Sequence, residues 1–220
     1  MMTSDLDIER LRRARRAIAK LRRTIVPDLR TMQEWAKGFD AAARKSPELG
    51  ALNFALMMVA LVGCEALGFW TMGASAHRKA RQPHTADVGC YIIDVIDRFF
   101  PPASRFRKVS KILADYVRHD LVHGFGVRRT KLRFDAAIKV RPDSHPPVRF
   151  QGRHLLVLDA VAFADDFIMA LDSVARRLKG DMELAARCSA AAAYRFPKMG
   201  KSIRNQFIAA HDYFARHAED

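Results

Sequence analysis

The sequence predicts a mainly α-helical single domain, a helical bundle with one β-hairpin inserted late, at about residues 131–157. Three observations predict it. Apolar residues recur at steps of three and four over most of the chain, the spacing of a helix with one buried stripe. Between about 131 and 158 that period gives way to alternation around the turn-forming "PDSHPP". The composition is that of a globular protein, with 50% hydrophobic and 28% charged residues, and 220 residues are enough to bury one sizeable core.

Taken in order, residues 8–26 read as a basic amphipathic helix, with Leu11, Ala14, Ile18, Leu21 and Ile25 on one stripe. Pro27 and Asp28 are expected to end it and to start a second helix carrying Leu29, Met32, Ala36, Phe39 and Ala43. The chain therefore divides into a basic N-terminal helix, 1–26, and a helical domain, 27–220. Residues 51–73, "ALNFALMMVALVGCEALGFWTMG", are long enough to cross a bilayer. Glu65, Asn53 and the glycines instead favour the buried central helix of a bundle, without a membrane span. "ASAHRKARQPHTADVG" reads as a loop, and "CYIIDVIDRFF" as a short helix stopped by Pro101-Pro102. A helix from about Ser104 to His123 follows, closed by Gly124. "KLRFDAAIKVR" and "VRFQGRHLLVL" are the two arms of the expected hairpin. Asp159 is placed to cap the next helix, whose apolar face is Val161, Phe163, Phe167, Leu171, Val174 and Leu178. Two more helices are expected near 181–195 and 199–217.

The charge is strongly unbalanced. Thirty-eight Lys+Arg against 24 Asp+Glu give +14, and eight of the fourteen residues from Arg10 to Arg23 are basic. Such a balance favours anionic partners, although a charged run is also the ordinary solvated face of a docking helix. Cys64, Cys90 and Cys188 are widely spaced and form no CxxC pair. That excludes a disulfide framework or a cysteine zinc site and suits a reducing cytoplasm. Asp5, Asp7 and Glu9 argue against a transit peptide, and the charged N-terminus against a secretory signal.

The stretch "RHDLVHGFG", 118–126, carries the chemistry. On an ideal helical wheel Phe106, Val109, Leu113, Tyr116 and Val117 form one buried stripe, Asp120 falls inside it, and His123 lies at its edge. A carboxylate there must be paired or raised in pKa. An imidazole at a helix C-terminus is held toward its protonated form.

Arg118-His119-Asp120-Leu121-Val122-His123 resembles the Arg–four-to-six–His motif of HEPN domains, small helical bundles that place a polar residue directly after the arginine. The resemblance extends over roughly 50–125, through "DRFFPP" and "LADYVRHDLVHGF", and less closely to 159–180. The hairpin and the last two helices depart from the plain bundle. The resemblance implies a metal-independent endoribonuclease without a cofactor, of the kind found in toxin–antitoxin or phage-defence systems, acting as a homodimer on RNA. A cognate antitoxin or another protein is a further partner it implies. His123 would serve as general base or acid, Arg118 as phosphate clamp, and His119 and Asp120 as supports. Arg128, Arg129, Lys131 and Arg133 could hold flanking phosphates.

Arg118 and His123 stand about 140° apart on an ideal helix, so one helix does not aim both at one point. A two-fold partner would have to complete the site. Two rival readings stand beside this one. One is a catalytically silent HEPN-like module that dimerises or binds a partner. The other is a metal-dependent phosphohydrolase using His119, Asp120 and His123, since "HDLVH" resembles the HExxH motif. His77, His84, His145 and His154 supply no recognisable further ligands for it.

Overall fold

The structure is a computed structural model that describes residues 5–43, 51–72, 88–117, 135–139, 146–152 and 155–193. It is mainly helical. Its elements are α1 (Asp5–Ala43), α2 (Ala51–Met72), α3 (Val88–Phe99), a 3₁₀ turn (Arg105–Lys108), the single-turn α4 (Ser110–Ile112) and a π-helical turn (Leu113–Val117). They continue with strands β1 (Asp135–Lys139), β2 (Val148–Gln151) and β3 (Leu155–Asp159), then α5 (Ala160–Arg177) and α6 (Met182–Ala193).

α2 is apolar on every side, so it must be covered on every side, and α1, α3, α5 and α6 all pack against it. Leu56, Met57, Ala60, Leu61, Cys64 and Leu67 are fully or almost fully buried. Leu52, Phe54, Met58, Val59 and Trp70 pack half-buried against the same core. Among the described residues this helix alone is long and apolar enough to cross a membrane, with a mean hydropathy of 1.8 over Leu52–Met72. Its packing makes it the axis of the bundle.

α1 does not break at Pro27, contrary to expectation; it runs unbroken through 39 residues. Proline removes one intrahelical hydrogen bond and crowds the preceding turn, at a cost of about 3 kcal/mol. Here Pro27 faces solvent, where the carbonyl it leaves without a donor can be hydrated. The buried stripe of Ala14 and Ile18 resumes beyond it with Leu29, Gln33 and Ala36. Burying each large apolar side chain contributes about 1.5–3 kcal/mol, enough in sum to carry the helix past one poor position. The same continuity removes any structural division at residue 26.

α1 and α5 lie antiparallel, joined at three levels. Arg15 donates from Nη2 to the Leu178 carbonyl at 2.7 Å, Arg22 pairs with Asp172, and Gln33 donates to both the Val161 carbonyl and Asp165 Oδ1 at 3.0 Å. α5 starts where the sequence places it. The Asp159 carboxylate accepts from the amides of Val161 and Ala162, and the whole expected apolar face is buried. α6 follows after a tight turn in which Asp181 accepts from the Leu184 amide and pairs with Arg177. The helix expected at 199–217 lies outside the described residues.

The β region differs from the expected hairpin. The sheet has three strands in the order β1-β3-β2, with β1 parallel to β3 and β2 antiparallel to it. The hairpin is β2–β3, inside the stretch expected to be one returning strand, and Gly152 turns it at φ 63°. The physical reason lies in the residues themselves. β3 is a continuous apolar run, Leu155-Leu156-Val157-Leu158, which suits a central strand covered on both faces. β2 leaves Phe150 60% exposed, as an edge strand can.

Glycine packing gives a paired expectation. A methyl group at Gly68 would sit deep inside van der Waals contact with the Tyr91 carbonyl oxygen, where α2 meets α3, whereas nothing surrounds Gly38 on α1. Gly68→Ala should destabilise the fold, since overpacking costs about 1–3 kcal/mol and outweighs the helical preference for alanine, about 1 kcal/mol. Gly38→Ala should stabilise it by about 0.5–1 kcal/mol. Urea midpoints of the two variants moving in the same direction would contradict the α2–α3 packing.

Candidate functional site

Arg118, His119, Asp120 and His123 lie outside the described residues, as do Arg128, Arg129, Lys131 and Arg133. Described up to Val117 is the segment that delivers the chain to the motif, and it is not the uniform helix expected from Ser104. Ser104 caps a 3₁₀ turn, its hydroxyl accepting from the Phe106 amide at 3.3 Å. Val109, at φ −127° and ψ 14°, interrupts the winding before α4, and the chain then widens into the π-helical turn. A uniform 100° per residue therefore does not hold over 105–117. The angle between Arg118 and His123 belongs to residues not described.

The expected stripe is buried wherever its side chains are described, that of Tyr116 lying outside them. Phe106, Val109, Leu113 and Val117 are all buried, joined by Ala114 and Ser110. Phe106 meets Phe163 of α5 edge-on, with ring centroids 5.0 Å apart, and Phe100 lies 5.3 Å from the same ring. Edge-to-face pairs add about 0.5–1.5 kcal/mol to the area they bury. The mixed winding keeps these side chains on one side because each irregular turn is anchored by an apolar residue in the core.

A polar clamp fixes the start of this segment, and the sequence reading missed it. Besides capping the 3₁₀ turn, the Ser104 hydroxyl hydrogen-bonds to Asp166 of α5. Asp165, its neighbour, accepts from Gln33, which is 5% exposed. Two helices and the segment leading to the motif thus meet at adjacent carboxylates. Burial pushes the Asp166 carboxyl above the ordinary aspartate value, the Ser104 hydrogen bond opposes this, and the charge of Asp165 adds to it. The signal in the sequence was "FADDFI", two carboxylates inside an otherwise apolar helix.

This clamp carries no histidine, and its Ser104 hydroxyl is engaged in capping the 3₁₀ turn and in its contact with Asp166, so it acts as a support. Among the described residues no group of three or more His, Cys, Asp or Glu is placed to hold a metal. The two buried thiols are also unsuited to nucleophilic chemistry. Burial drives Cys64 well above the usual thiol range and Cys188 up to about 12, so both stay protonated near neutral pH.

The clamp gives a pH-dependent expectation. A carboxyl raised in the folded state holds its proton more tightly there than in the unfolded chain. Its contribution is fully present below the unfolded value and is lost as pH rises through the folded one. Asp166→Asn, which keeps an acceptor for Ser104 without the charge, should match the parent below the ordinary value of 3.8 and become the more stable protein as pH rises past it. Denaturation midpoints across pH 3–7 whose difference stays constant would show that Asp166 is not desolvated. No family model, curated protein or solved structure matches this chain.

Proposed function

We propose that the chain is a HEPN-like, metal-independent endoribonuclease of the cytoplasm that works as a homodimer, with Arg118 and His123 as its catalytic pair. One observation carries the reading: the sequence Arg118-His119-Asp120-Leu121-Val122-His123 directly follows Val117, a fully buried anchor of the segment that packs on α3 and meets α5 through Phe106. The core behind that anchor is helical, as the reading requires, and the net charge of +14 suits a polyanionic substrate.

The chemistry needs only side chains. His123 takes the proton of a ribose 2′-OH, and the 2′-oxygen attacks the adjacent phosphorus as the bond to the 5′-oxygen breaks. The leaving oxygen receives a proton, giving a 2′,3′-cyclic phosphate and a 5′-OH. Arg118 binds the phosphate through two parallel hydrogen bonds and holds the charge that builds on it. His119 and Asp120 orient the pair, and Arg128, Arg129, Lys131 and Arg133 hold flanking phosphates.

Cleavage of RNA should survive EDTA and leave 2′,3′-cyclic phosphate ends. His123→Ala and Arg118→Ala should each reduce it by about 10²–10⁴-fold, the usual worth of one acid–base group, with little change in the unfolding midpoint. Activity abolished by EDTA and restored by a divalent cation would transfer His119, Asp120 and His123 to metal binding. A folded dimer without nuclease activity would make the chain a binding module.

On an ideal helix Arg118 and His123 would stand about 140° apart, so in this proposal each site draws on two subunits. Mixing the two inactive variants should then restore part of the activity. No recovery, with mixed dimers demonstrated by mass spectrometry, would place each site within a single chain.

A further inference from the structure

Between α1 and α5 runs a groove of about 580 Å³, lined in part by the Arg22–Asp172 pair and by no residue that the proposed chemistry uses. Its floor is apolar: Ile18 is buried beneath it, Ala19 and Ala175 line it, and Met169 stands 48% exposed. Its rim is cationic, with Arg15 and Arg22 on α1 and Arg176 and Lys179 at the end of α5. Asp172 is the one acidic residue among those lining it, and it is already paired with Arg22. Arg15 spends its hydrogen bond on the neutral Leu178 carbonyl and so keeps its charge. Arg176 and Lys179 enter no ion pair with another described residue, and both are exposed.

We propose that this groove binds an acidic amphipathic helix presented by a protein partner. Three features of the surface select that occupant. Excess positive charge at the rim calls for carboxylates. The exposed Met169 over small alanines calls for an apolar stripe between them, and methionine is a side chain that adapts to such stripes. Arg15 on α1 and Arg176 and Lys179 at the end of α5 put cations without a carboxylate partner among the described residues on both sides of the groove, matching acidic residues that flank the apolar stripe of an incoming helix. A nucleic acid fits less well. Single strands are held chiefly by aromatic side chains on which successive bases stack, and no aromatic side chain lines this groove. A bilayer surface cannot enter a concave site.

The test uses the full-length protein at physiological ionic strength and a fluorescent 18-residue peptide with leucines along one helical face and glutamates elsewhere. Anisotropy should report binding. Replacing every leucine by glutamine, or every glutamate by lysine, should weaken it at least 10-fold. Met169→Glu and the double variant Arg176→Glu/Lys179→Glu should each weaken it at least 10-fold as well. Both change exposed positions, and unchanged thermal midpoints would show that they fold. Failure of the peptide to bind overturns the proposal, as does equal binding of the leucine-free peptide or indifference to both variants. An 18-nucleotide single-stranded RNA that displaces the peptide and loses affinity in the same variants would reassign the groove to nucleic acid. None of these outcomes depends on RNA cleavage, so they stand apart from the proposed activity.

Discussion

The enclosure of the apolar helix α2 by four other helices is the constraint from which the rest of the architecture follows. A helix apolar on every face has no side it can offer to water, so its neighbours must enclose it. α1, α3, α5 and α6 do so. Close approach is part of that solution. Gly63 lies where a methyl group would meet the Phe167 ring at 2.5 Å and Ile25 at 2.8 Å, so the absence of a side chain lets α1 and α5 both reach α2 at one level. The sheet is peripheral to this arrangement, touching α2 through β1 and leading through β3 directly into α5.

Within that frame α5 links the parts. Asp159 ties its start to β3, and Phe163 holds the aromatic rings of the segment leading to the motif. Asp165 and Asp166 connect α1 to Ser104, and Asp172 pairs with Arg22 further along. Its buried residues, including Phe163, Phe167, Leu171 and Val174, recur at steps of three and four, while its polar contacts leave from the adjoining faces. Each surface polar contact contributes little by itself, and the apolar stripe supplies most of the stability.

The helices were legible in the sequence where one stripe of apolar residues persisted: α3, α5, α6 and the Asp159 cap all followed from local pattern, although α3 begins at Val88, two residues inside the stretch read as a loop. α1 was misread because proline is a local penalty, while the packing that outweighs it is spread over residues on both sides. The sheet was misread for a related reason. Gly152 is a single turn residue in an apolar stretch, and alternation says nothing about which strand lies in the centre. The buried stripe of 106–117 was read correctly although its winding was not, because burial depends on which side chains reach the core and tolerates several backbone routes to it. The candidate catalytic residues were legible only as a motif, and they lie outside the described residues.

Sharing α5 places the cationic groove and the approach to the motif on one rigid element, but shared position is not coupling. Coupling requires an element with two arrangements whose balance both sites can shift. α5 between Phe163 and Val174 is packed on one side by fully buried rings and aliphatic groups, a dense interior that resists small displacements. The π-helical turn at Leu113–Val117 is the irregular winding nearest the motif, and such turns recur at functional sites because they break the regular ladder. A partner seated in the groove would therefore leave the core of α5 in place. Any influence on the motif would have to pass along the polar side of that helix, from Arg176 in its last turn to Asp166, which meets Ser104.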